Sequence, residues 1–261
     1  MTGSASWTIA IGQWCFRYRN AAFPMIFALV VLLLRPRVPW GNAVLDHALI
    51  VTGAALALLG EAIRLLTIGF DYVERGGKHG QVSASRLVQA GIYAHTRNPM
   101  YLGNLLIAGG MCLVSGAPAA YLGIFPLFVF IYQAIMVTEE AYLHHKFGAD
   151  YVAYCSRVPR LLPSLKGLRH TLSGTEYHWR RAIRKDLSTI TGLLLGLICF
   201  PIWRTYFLYG VDAAKARVPG TLAEVAAVLV IYLILHALKK RRLLFYLPEA
   251  PEMPGVPGHL R

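Results

Sequence analysis

The chain reads as long apolar runs broken by short polar punctuation. Continuous apolar runs cover Ala21 to Leu34, Val44 to Phe70, Leu102 to Val114, Ala119 to Val137, Leu187 to Leu208 and Leu222 to Leu238. A helix rises about 1.5 Å per residue, so roughly 20 residues cross about 30 Å of hydrocarbon. Several runs meet that length alone; the first and third need flanking residues to complete a span. The pattern predicts an all-α integral membrane protein of about six transmembrane helices. The polar stretches between them are unequal. Those on one side are short (RPRVPWGN, SGAP and YGVDAAKARVPG), while Asp71 to Met100 and Glu139 to Asp186 on the other side are long. A protein with its polar mass on one face is expected to carry its chemistry there.

Composition agrees with lipid as the main solvent. Of 261 residues, 56% are hydrophobic and 15% charged, where a soluble domain carries about 25% charged residues. The net charge of +13 raises nucleic acid as a partner, but the distribution of the charge points elsewhere. Twenty of the 26 Lys and Arg fall on the side of the long polar segments, and only Arg64 lies inside a span. By the positive-inside rule, that side and both termini are expected in the cytoplasm. The first residues lack the charged start and small-residue cleavage site of a secretory signal. Cys15, Cys112, Cys155 and Cys199 have no metal-type spacing and read as small apolar residues; no metal site is expected.

Four regions follow from this organisation. Residues 1–165 form a membrane-embedded core, 166–186 a basic linker, 187–246 a two-helix extension, and 247–261 a Pro- and Gly-rich tail. The linker carries an Arg/Lys run with Tyr177 and Trp179, which suits either a segment at anionic lipid headgroups or a solvated basic stretch.

Two polar clusters flank the third and fourth spans. The first runs from Gly91 to Gly103 (GIYAHTRNPMYLG); the second starts at Glu139-Glu140 and continues through FGADYVAYCSRVPRLLP to Pro163. The chain between them goes out and back, turning near Ser115 to Pro118. Arg97 precedes that turn by about as many residues as Glu139 follows it, so helix rise alone sets both at one depth in an antiparallel pair. A helical hairpin over about 101–137 should therefore bring residues some 40 apart together at its mouth. A carboxylate pair facing an arginine, with Tyr93 and Tyr101 near, suits a ligand that bears both charges. Each piece alone has a plainer reading: a solvated helix end for the glutamates, and a headgroup anchor before a helix-starting proline for Arg97. Glu61 and Arg64, three residues apart on one helical face, read either as a functional pair in a span or as a self-neutralised one.

RNPMYLG, a hairpin, EE and then FGxxYxxYxxxVPRLLP together resemble the isoprenylcysteine carboxyl methyltransferase and phospholipid methyltransferase superfamily of membrane enzymes. The resemblance covers about Leu87 to Pro163. It departs from the usual RHPxYxG at Asn98, which stands where His is common. It implies an S-adenosyl-L-methionine site on the cytoplasmic helix ends. Arg97, Pro99, Tyr101 and Gly103 would shape it from one side, Glu139 and Glu140 from the other, with Tyr93 and His95 as additions. Tyr151, Tyr154 and Arg157 sit where the family closes the site, and Arg157 could equally orient the acceptor.

Methyl transfer is an in-line displacement that needs the acceptor held at about 3–3.5 Å from the methyl carbon. A dry pocket favours it, because the sulfonium charge disappears in the step. An amine acceptor would need a base, with Glu140 or His95 as candidates; a carboxylate or thiolate would need a positive partner, Arg157 or Arg97. The expected acceptor is lipophilic or membrane-associated: a prenylcysteine-like carboxylate, a phospholipid amine or a small thiol. Two alternatives stay open. A nicotinamide-dependent reductase of the sterol C14-reductase type shares a similar Arg-x-Pro-x-Tyr motif but usually lacks paired glutamates. A non-catalytic membrane protein or transporter is the other; a transporter of common design would show repeats or matching broken helices, and the sequence has none.

Overall fold

The computed structural model describes residues 10–18, 25–26, 28–29, 33–70, 84–174 and 176–241. Residues 10–18 are helical. A short 3-10 turn at Pro39–Gly41 leads into α1, Ala43–Phe70. Asn42 starts that helix by accepting the Leu45 N–H on Oδ1 at 3.1 Å, the usual way an N-cap satisfies an orphan donor. α2 spans Pro99–Ser115, with proline in its first turn and Gly116 at φ 63° ending it. Such left-handed residues close helices at little cost when they are glycine. A π-helical turn at Ala120–Ile124 opens α3, Phe125–Arg157. α4 is Leu168–Gly174, α5 Trp179–Tyr209 and α6 Val211–Lys240.

The protein is an all-α integral membrane protein, with no strand among the described residues. Among the described residues, four helical stretches are long and apolar enough to cross a membrane: Ala43–Phe70, Ala120–Arg157, Trp179–Tyr209 and Val211–Lys240. α2 is apolar but only 17 residues long. Five of the six predicted runs are thus helices. The first, Ala21 to Leu34, lies largely outside the described residues. The tail at 247–261 lies wholly outside them.

One predicted loop is absent. YGVDAAKARVPG turns on Gly210 alone, and Val211 already begins α6. Ala213, Ala214 and Ala216 favour helix, Asp212 complements the start of the helix dipole, and Pro219 is accommodated within the span.

Lipid tails are as apolar as leucine, so helices associate in a bilayer by close packing and polar bonds. α1 and α2 run antiparallel with backbones nearly touching. A Cβ on Gly53 would stand 2.6 Å from the Gly110 carbonyl oxygen, and one on Gly60 would stand 2.5 Å from that of Gly103. α5 packs against both, burying Leu193 and Phe200 beside Ala57, Met111 and Val114. A second apolar cluster joins Tyr101, Leu105, Phe128, Tyr132 and Ile135 to Cys15 and Phe16 of the N-terminal segment. α6 packs on α5 and buries only Ala214.

Candidate active site

The site forms where α2 begins and α3 ends. Val158 is extended (φ −115°, ψ 126°), and Pro159 after it stops α3. The chain then runs beside the segment that precedes α2. Arg97 N–H donates to the Pro159 carbonyl at 2.9 Å, and Ser164 N–H to that of His95 at 2.9 Å. Thr96 Oγ1 donates to the Leu161 carbonyl at 2.9 Å, and Asn98 Nδ2 to that of Arg160 at 3.0 Å. HTRN and PRLLPS are therefore zipped together, and both motif segments are held by backbone atoms.

Gly148 supplies the second device. Its φ of 50° and ψ of −121° break α3, a conformation that side chains disfavour. The terminal piece redirected by this break carries Tyr151, Tyr154 and Cys155 to the α2 side. Tyr154 O–H donates to the Tyr93 carbonyl at 2.8 Å, and Arg97 Nη1 to Cys155 Sγ at 2.8 Å.

The predicted juxtaposition across the hairpin is present. Glu140 accepts Arg160 Nε at 3.0 Å on both oxygens and Arg160 Nη2 at 2.9 Å. Arg97 Nη1 stands 3.5 Å from Glu140 Oε1, and Asn98 Nδ2 stands 3.4 Å from it. Asn98, at the position where the related motif has His, thus ties the second carboxylate to the opposite strand of chain. Glu139 points differently, because consecutive helical residues project about 100° apart. It accepts the Tyr101 hydroxyl at 2.6 Å, and the Tyr101 ring lies 5.5 Å from that of Tyr132 inside the apolar cluster. One glutamate faces guanidinium groups; the other faces an aromatic wall.

Burial works against the Arg97 charge, but the Glu140 carboxylate, aided by Cys155 and Tyr151, outweighs it and raises the pKa. Arg97 is held as a cation. Its Nε is buried with no hydrogen-bond partner among the described residues. Two guanidiniums converge on one carboxylate, which leaves donor capacity for a further anionic group.

Other candidates lie elsewhere. Both ring nitrogens of His95 are engaged, Nδ1 with the Ser164 carbonyl at 2.8 Å and Nε2 with Thr171 Oγ1 at 2.8 Å. A carbonyl only accepts, so Nδ1 carries a proton, while Nε2 shares a hydrogen bond with the Thr171 hydroxyl. His95 therefore fastens α4 to the motif segment and has no free lone pair for a base. Arg157 is exposed and donates to the Ala153 carbonyl at 3.1 Å and to Gln89 Oε1 at 3.2 Å. The structure thus places His95 against Ser164 and Thr171, and Arg157 against Ala153 and Gln89, apart from the Glu140 cluster. Arg160, three residues beyond Arg157 and past the Val158 break, is the arginine that reaches Glu140. Pro99 is buried in the first turn of α2, and Tyr93 offers its backbone carbonyl. Gly103 faces α1: a Cβ there would stand 2.6 Å from Arg64 Cγ. No group of metal-ligating side chains occurs among the described residues.

Arg97, Asn98, Glu139, Glu140 and Arg160 thus gather where α2 begins and α3 ends. Residues 48–150 match the model of the phospholipid methyltransferase family. The chain is also similar to the protein-S-isoprenylcysteine O-methyltransferase of Xenopus laevis, at 29% identity over 46% of this chain and 42% of the relative. The Homo sapiens protein of that name is 30% identical over 46% of this chain and 43% of the relative. That of Schizosaccharomyces pombe is 36% identical over 35% and 41%. The matched stretch is thus similar to members of the isoprenylcysteine carboxyl methyltransferase and phospholipid methyltransferase superfamily. It spans less than half the length of these curated relatives. No solved structure matches it significantly.

Proposed function

We propose that this protein transfers a methyl group from S-adenosyl-L-methionine to a lipophilic acceptor at the membrane surface. The observation that carries the reading is the Arg97–Glu140–Arg160 cluster facing the Glu139–Tyr101 pair across one hairpin mouth. S-adenosyl-L-methionine, when bound, supplies an electrophilic methyl group on a sulfonium. The residues present fit it. Arg97 and Arg160 have capacity for its carboxylate, Glu140 for its ammonium group, and Tyr101 with the Pro99 turn forms the wall of the mouth. Glu139, held by Tyr101 beside the apolar cluster, faces the side from which a lipid-soluble acceptor arrives. Among acceptors, the carboxylate of a prenylated cysteine is favoured, since the similar relatives are named for that reaction. Such an acceptor is already anionic and needs no base, which agrees with a His95 that is fully bonded.

The charge asymmetry supports a cytoplasmic location for this mouth and for both termini. The same basic face, with Lys166 and Arg169 beside exposed Leu162 and Leu165, and exposed Trp179 further along, suits anionic lipid headgroups. Residues 1–165 then act as the catalytic core and 187–246 as its extension.

The test is a calorimetric titration of the detergent-purified protein with S-adenosylhomocysteine, beside Glu140→Ala, followed by methyl-ester formation on a prenylated cysteine in nanodiscs. Micromolar binding that the variant loses supports the cofactor site, and ester formation supports the acceptor. A well-folded protein that binds nothing, in detergent and again in nanodiscs, removes the reading.

A further inference from the structure

α1 carries a buried cation at the level where α2 has just left the motif. Arg64 is 6% exposed. Its Nε donates to Asp186 Oδ2 at 3.0 Å, its Nη2 pairs with Asp186 Oδ1 and donates to Thr189 Oγ1 at 3.1 Å, and its Nη1 donates to Asn104 Oδ1. Glu61 Oε2 stands 3.5 Å from Arg64 Nε. Asp186 is 1% exposed and belongs to α5. One guanidinium therefore joins α1, α2 and α5 inside the span. Its stem also lies against Gly103, so α2 cannot shift towards α1 without a collision. Gly103 and Asn104 follow Tyr101 within one helical turn.

We infer that Arg64, locked by Asp186, is a positioning residue that sets where α2 presents Tyr101 and Arg97 at the mouth. The inference rests on the methyltransferase reading for its consequence and on the bonds alone for its geometry. Asp186 lies beyond residues 48–150, the part that matches the family model. Asp186, the last residue of the stretch predicted as linker and here part of α5, thus adds a carboxylate from outside the matched core to the Glu61 and Asn104 contacts within it. α5 acts as a strut of the site, and the Arg64 charge cannot be satisfied the same way without it. Ionisable groups within a span are costly, and they persist where they pair or serve a function.

A built-in control makes this testable. Arg204 and Asp46 form another buried ion pair among the same helices, at the opposite end and away from the motifs. Asp186→Asn removes a buried carboxylate charge and Asp46→Asn a largely buried one; Asn104→Ala removes only the link to α2 and leaves the ion pair whole. Three readouts apply: melting temperature, calorimetric affinity for S-adenosylhomocysteine, and the maleimide labelling rate of Cys155, which contacts Arg97. Labelling uses a Cys199→Ala background, since Cys15 and Cys112 are buried.

Asp186→Asn should weaken affinity about tenfold, within the usual span of coupling between linked sites. Asn104→Ala should weaken it about threefold, the size of one interhelical hydrogen bond in a membrane. Both should speed Cys155 labelling, while Asp46→Asn lowers the melting temperature and changes neither. If Asp46→Asn moves affinity and labelling as much as Asp186→Asn, or Asn104→Ala moves neither, the positioning role is overturned even though the enzyme is active. If the folded wild type binds no S-adenosylhomocysteine while the labelling pattern holds, the lock stands and the methyltransferase reading falls.

Discussion

The two ends of the helical bundle solve the same electrostatic problem in opposite ways. Where α1 begins and α2 stops, Arg204 Nη2 donates to both Asp46 oxygens at 2.6 Å, and the guanidinium lies against Gly116, where any Cβ would collide with it. Those side chains are 5% and 13% exposed. One cation meets one anion in a tight space, with Arg204 Nη1 buried against Gly116. At the motif end, Arg97 and Arg160 share Glu140 at distances of 2.9 to 3.5 Å, with side chains 17%, 31% and 21% exposed. Two arginines share that one carboxylate, and the cluster is the more exposed of the two, although each end leaves one guanidinium nitrogen without a partner, Arg97 Nε here and Arg204 Nη1 at the other. A closed pair holds helices together; an open one has capacity left for a ligand.

The sharpest break of this comparison is at the closed end. Asp46→Ala should cost about 3–5 kcal/mol of stability, because it leaves Arg204 as an unpaired buried charge. A calorimetric or fluorescence melt in detergent would show it, and ligand affinity of the remaining folded protein should be unchanged. A small shift in the melt would mean that Arg204 relaxes to water and that the closed end is not closed.

At the open end the balance reverses. Glu140→Ala should reduce S-adenosylhomocysteine affinity about 100-fold, roughly the loss of one charge-assisted contact of 2–3 kcal/mol. Its partners can turn to solvent, so the melt should move less than in Asp46→Ala. Equal losses of stability in the two variants would contradict the division of roles.

A paired test separates the two arginines of the second motif. Arg160→Ala is expected to weaken binding about tenfold, near 1.4 kcal/mol. Arg157→Ala, whose bonds go to Ala153 and Gln89, should change it less than twofold. The opposite order in a direct titration would restore Arg157 to the site.

The smallest effect belongs to the helix break. Gly148→Ala should destabilise by about 1 kcal/mol, since a side chain is strained at φ 50° even though open space surrounds it. The informative reading is local. Cys155 labelling should rise if the break is what returns Tyr154 and Cys155 to the mouth.

Much of this is legible in the order of residues alone. Similar residue counts on either side of Ser115 to Pro118 put Arg97 and the glutamates near one depth, where Glu140 meets Arg97 and Glu139 turns to Tyr101. Other choices are not readable. Arg157 and Arg160 are equivalent in a string of letters; the Val158–Pro159 break after the helix decides which one turns inward. His95 sits in the middle of a motif, yet Ser164 and Thr171 occupy both of its nitrogens. Asp186 reads as the end of a basic linker because its neighbours are Arg180, Arg181, Arg184 and Lys185; helical periodicity turns it alone towards Arg64.

Sequence by itself determined the solvent, the approximate number of apolar helices, the hairpin and the ends where charge gathers. All of these follow from local composition and from the rise of a helix. Tertiary structure alone decided which ion pairs form across 122 residues, as between Arg64 and Asp186, or across 158, as between Asp46 and Arg204. The reason is physical: in hydrocarbon a charged side chain must find its opposite, and which one it finds depends on which helix faces pack.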